Sequence, residues 1–94
     1  MTRALLEERE MVTAVIKLIA PTLAGVAQTM CRAQAGHGGY APEKVVLNPS
    51  NWAELACDMT SKDLDISQGV TILDVPVKAG PEAWLGFAVF SWSE

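Results

Sequence analysis

Apolar positions recur along the first third of the chain at helical spacing. Leu5, Val12, Ile16 and Ile19 form one row, and Met11, Val15 and Leu18 form an adjacent one. Glu7, Glu8, Arg9, Glu10 and Lys17 lie mostly off this wide stripe, and Arg3 can reach Glu7 across one turn. The pattern predicts a helix from residue 3 to about 20. Pro21 ends or kinks it, because proline lacks the amide proton and clashes with the preceding turn. Leu23, Val26, Ala27 and Met30 resume the period. A second helix is therefore expected over about 21–35, stopped at Gly36.

The second half reads differently. Gly36-His37-Gly38-Gly39-Tyr40-Ala41-Pro42 is a loop by composition. Val45, Val46 and Leu47 are β-prone and predict a strand over about 44–47. Pro49 cannot donate to a ladder but fits the first position of a helix, with Asn48 as its cap. Asn51 followed by Glu54 offers a second, capping-box start. The helix is expected over about 49–59, burying Trp52, Leu55, Ala56 and Met59. Val70 to Leu73 reads as a strand that Val75-Pro76-Val77 extends, with Pro76 marking an edge or bulge. A turn at 79–82 leads to a last strand, Trp84 to Trp92, apolar on both parities and so expected to be central and covered on both faces.

The expected fold is α+β: two N-terminal helices followed by a β-α-β-β unit, with a small sheet covered by the helices. The segments flanking the 49–59 helix are expected to pair in parallel, and the last two strands to form a hairpin. The 94 residues make a single domain, 1–94, with a helical half at 1–36 and a mixed half at 41–94.

Composition narrows the function classes. The net charge of −4 argues against a phosphate backbone or an anionic lipid surface as partner and leaves proteins, especially basic ones. No membrane span is expected, since Pro21 interrupts the short apolar run between Lys17 and Gln28. The charged start lacks the apolar segment of a signal peptide, so the expected compartment is cytoplasmic. Cys31 and Cys57 are then expected as free thiols, behaving as small buried hydrophobes. All three tryptophans lie in the second half, which places the aromatic core there. Trp92, near the end of the sequence, either docks back on the fold or inserts into a partner.

No stretch carries a recognisable chemistry. His37, the only histidine, sits between glycines on a loop, where a base would lack a fixed geometry, and reads as solvated. No orienting group accompanies Cys31 and His37. One histidine and two cysteines do not complete a structural zinc site, and Asp58, Asp63 and Asp65 lack the spacing of a calcium loop. The glycines at 36–39 follow a helix and lack the lysine of a phosphate loop. No catalytic residue, cofactor or metal is assigned, and the chain is not expected to be an enzyme.

Pro42, Val45, Val46, Leu47, Asn48, Pro49 and Trp52 form a strand, cap and helix that resembles a segment of the major capsid proteins of tailed bacteriophages. Val75-Pro76-Val77, Gly80-Pro81 and Leu85-Gly86 resemble a later element of the same proteins. Such subunits are far longer, with a spine helix and an extended arm, so the resemblance covers one subdomain. It implies a phage or prophage origin, in the virion or in the cytosol of a bacterial host. Two functions fit this profile. One is a structural or assembly protein that forms a homo-oligomer. The other is a small acidic inhibitor or adaptor that masks a host protein of defence or transcription. The expected interface comprises Met11, Val15, Leu18, Leu23, Val26, Met30 and Trp92.

Overall fold

Alternation, not helical period, governs the first segment of the computed structural model, which describes residues 11–93. Met11–Lys17 is a strand, β1. Val12, Ala14 and Ile16 pack on the core while Thr13, Val15 and Lys17 are exposed. This corrects the expected helix over 3–20, of which residues 3–10 lie outside the described residues. Val12, Thr13, Val15 and Ile16 are β-branched and suit a pleated, half-buried surface better than a helix.

The second helix forms as expected. It is α1, Leu23–Ala35, capped by Thr22, whose side chain accepts from the Gly25 amide at 3.1 Å. Gly25 leaves room for the backbone of Ala20, which a Cβ at that position would strike. Thr29, fully buried, ties the crossing together. Its hydroxyl donates to the Gly25 carbonyl at 2.7 Å and accepts from the Ile19 amide at 3.0 Å. Strand β2, Lys44–Leu47, and helix α2, Pro49–Ser61, follow the sequence signal closely. Asn48 accepts from the Ser50 amide at 2.9 Å, and Pro49 occupies the first turn. Asn51 is no second cap. It is a buried residue of α2 that holds a loop.

The remaining strands are β3, Val70–Ile72, β4, Val75–Ala79, and β5, Phe87–Ser93. Val75-Pro76-Val77 does not extend β3. Leu73 and Asp74 both take positive φ, +53° and +67°, and fold the chain into a tight hairpin that sets Ile72 opposite Val75. Pro76 is tolerated inside the sheet because the pairing of β4 with β2 begins one residue later, at Val77.

The sheet has five strands in the order β1-β5-β2-β4-β3. The expected parallel pairing around α2 holds only for the later part of the segment after it: β2 pairs in parallel with β4, while β3, the first strand after α2, lies beyond β4 at the edge. The expected final hairpin is absent: β5 leaves β4 and inserts antiparallel between β1 and β2. Both helices lie on one face, sealing a core of Val26, Met30, Val45, Leu47, Leu55, Val77 and Phe90 among others. β5 is thus covered on one face, by parity Ala88, Phe90 and Trp92, and not on both. Trp52 is half-buried, with its indole N–H donating to the Val77 carbonyl at 3.3 Å, and Trp84 is exposed, so the aromatic core rests on Phe90 and Trp92.

The helices are also tied to each other. The Asp58 carboxylate in α2 accepts from the Leu23 amide at 2.9 Å and from Lys62 at 2.7 Å. These two contacts hold its pKa below the ordinary 3.8, the backbone bond first. A depressed carboxyl favours the fold while ionised. That contribution is complete above the unfolded value and fades as pH falls through the lowered folded value. Asp58→Asn should therefore be less stable than wild type at pH 7. In urea unfolding at a series of pH values, the gap should close as pH drops through 3.8 and below. At the β3–β4 turn, a branched residue at positive φ is costly. Replacing Leu73-Asp74 with Asn-Gly should raise unfolding stability by about 1 kcal/mol, read as a higher Tm.

Candidate functional site

Strand alternation decides what the face away from the helices presents. Val15 comes from β1, Val46 from β2, and Phe87 and Val89 from β5, with register pairs Val15–Val89 and Val46–Val89 placing them side by side. Val15 is 57% exposed, Phe87 and Val89 are half-buried and Val46 is buried. Trp84, 70% exposed, adds its ring, edge-on to Phe87 with centroids 6.1 Å apart. The same face carries Lys17, Lys44 and Lys78, all exposed. Among the described residues no helix or strand covers it.

The loop that presents Trp84 is held by the two asparagines of the cap region. Asn48 donates to the Ala83 carbonyl at 3.3 Å, and Asn51 accepts from the Gly86 amide at 2.7 Å. Gly80 starts the loop by donating to the Leu47 carbonyl at 3.0 Å, pressed so close to Val46 and Glu82 that a Cβ has no room. The residues that signalled a helix start therefore also position the exposed tryptophan, a role that their local spacing does not reveal.

Among the described residues, no strand lies beyond β1 at the edge beside this face. The Leu18 amide donates to the Gly86 carbonyl at 2.8 Å. Carried along the register, this makes Ile16–Ala88, Ala14–Phe90 and Val12–Trp92 the hydrogen-bonded pairs. The amides and carbonyls of Thr13, Val15 and Lys17 then point away from β5, to an edge that no described strand occupies. The opposite edge strand, β3, is only three residues long.

A third feature is a cavity of about 610 Å3 lined by Val12, His37, Tyr40, Glu43, Trp92 and others. His37 is not a free loop residue. Its ring stacks on Trp92 with centroids 3.7 Å apart and planes 10° from parallel. Its Nδ1 lies 3.2 Å from the Ala33 carbonyl, which can only accept, so Nδ1 carries the proton. Trp92 donates from Nε1 to the Tyr40 carbonyl at 2.9 Å. Trp92 thus docks back on the fold, 7% exposed. A second cavity, about 570 Å3, lies between α1, the end of α2 and β3, lined mainly by apolar side chains and Asp65.

The structure disperses the expected interface. Val26 and Met30 are fully buried, Leu18 and Trp92 nearly so, and Leu23 packs partly on the core. These residues close the protein's own interior, because one sheet face needs two helices' worth of apolar cover. Val15 alone of the set is an exposed large hydrophobic; Met11 is placed only by its register opposite Ser93. Cys31 and Cys57 are free and exposed on the outer sides of the helices, a correction to their expected burial. Among the described residues no three His, Cys, Asp or Glu gather as metal ligands, and no helix is long and apolar enough to cross a membrane.

Removing the His37 ring should cost about 0.5–1.5 kcal/mol, the worth of one stacked aromatic pair. Thermal unfolding of His37→Ala checks this, and quenching of tryptophan fluorescence should rise as Trp92 loses its cover. A solvated loop histidine would give no change in either. Compared with known proteins, the chain matches no protein-family model, no curated protein and no solved structure.

Proposed function

We propose that this chain is a non-enzymatic, phage-type structural or assembly protein that works by associating with copies of itself, in the virion or the host cytosol. The observation that carries the reading is the sheet face that no described helix or strand covers, where Val15, Trp84, Phe87 and Val89 meet beside an edge with no described neighbour. A fold that spends two helices on one face and leaves apolar side chains on the other has a surface suited to protein contact. The phage origin rests on the resemblance at Pro42 to Trp52, whose residues form β2, the Asn48 cap and the start of α2.

A second reading has its own support. Lys17, Lys44 and Lys78 ring the apolar patch. An acidic protein would match these lysines, which outnumber the carboxylate beside Val46, that of Glu82. An inhibitor or adaptor that masks a host protein would use this face.

Light scattering on the isolated chain separates the two. Self-association gives a mass of two or more chains at micromolar concentration. A mass of one chain up to about 100 μM, where an interface of ordinary size would be saturated, overturns the assembly reading and leaves the masking one.

A further inference from the structure

We propose that two copies of this chain pair antiparallel along β1, about a two-fold axis through Ala14, joining their two sheets into one. The inference deepens the self-association reading and rests on it.

The edge itself argues for it. Folded proteins guard their edge strands with proline, bulges, internal charges or short length. β1 has none of these guards within it. It runs seven residues, pairs with β5 without interruption, and carries a single charge, Lys17, at its last position. β3, by contrast, is three residues long and needs no guard. Such an edge, left open, accepts any strand; a closed two-fold pairing removes it from reach.

The alternation of the backbone selects the register. The groups facing outward belong to the odd-numbered residues, Met11, Thr13, Val15 and Lys17, by the register with β5. An axis through Ala14 sets Thr13 against the second copy's Val15 and Met11 against its Lys17, so every outward residue finds a partner. Sliding by two residues leaves one of them unpaired at each end. The same register keeps the two Lys17 side chains at opposite ends of the new ladder. Ala14 meets Ala14 as a non-hydrogen-bonded pair, where Cα atoms come within ~4.5 Å and a small side chain suits the approach. On the open face, Val15 and Val89 of both copies then merge into one apolar band.

The close approach at Ala14 supplies the test, because ~4.5 Å between Cα atoms lies within the span of a disulfide. The exposed thiols are first removed with Cys31→Ser and Cys57→Ser. In that background, Ala14→Cys should convert to a covalent dimer under mild oxidation with glutathione, and Thr71→Cys on the β3 edge should not. Val15→Pro removes an amide that faces outward, so it spares the pairing with β5. It should weaken the dimer roughly a hundredfold by light scattering, through the lost backbone bonds of the central pairs, with circular dichroism unchanged. If Val15→Pro unfolds, the Ala14→Cys result decides alone. A wild-type dimer that neither cross-links at Ala14→Cys nor responds to Val15→Pro overturns the β1 pairing and leaves self-association standing. A monomeric wild type overturns both.

Discussion

Strand β5 is hydrogen-bonded on both edges, and the rest of the architecture hangs on that fact. Its register sets Phe90 against Ala14 of β1 on one side and against Val45 of β2 on the other. Without it the sheet separates into a lone strand and the β2-β4-β3 unit. Ala88, Phe90 and Trp92 form the floor on which α1 and α2 close the core, while Phe87 and Val89 build the opposite face. One seven-residue strand thus fixes both the interior and the surface proposed for association. The polar groups caught inside are matched as well. Among the described residues, no buried side-chain nitrogen or oxygen lacks a hydrogen-bond partner. Thr29 and Asn51 each serve a junction between elements rather than a ligand.

What could be read from the sequence was local. Asn48-Pro49 marks a strand end and a helix start with signals a few residues apart, and β2 and α2 appear where those signals put them. α1 was legible for the same reason. β1 was not, because Met11–Lys17 satisfies both periods. Val12, Val15, Ile16 and Ile19 fit a helix face, and Val12, Ala14 and Ile16 fit a strand face. The richness in β-branched residues was the signal that could have decided it. Non-local facts left no trace at all. Nothing around His37 announces that a tryptophan far along the chain stacks on it, and nothing near Trp92 announces the carbonyl of Tyr40. The expected interface failed for a related reason. Helical periodicity names the face that is buried, but not whether its own sheet or another chain buries it. Val15 differs from the others in being exposed, as strand parity requires.

The net charge of −4 is spread unevenly. Glu54, Asp58, Asp63 and Asp65 lie on α2 and the connection after it, whereas Lys17, Lys44 and Lys78 share the open sheet face. An acidic total points to basic partners, yet the strands of the open face contribute three lysines to it, with Glu82 beside Val46 at its rim. Averaging over the sequence loses this, since long-range screening makes the local sign at a contact matter more than the total.

The pairing of β1 with β5 has a consequence for the order in which the protein is made. Met11 lies opposite Ser93, so the first described strand waits for the last one to be synthesised before it has a neighbour. Closing so long a loop comes late, after the local β2-α2 unit and the β3–β4 hairpin can form. The place of β1 in the sheet therefore rests on a contact that spans nearly the whole described sequence, the kind of long-range closure that slows folding.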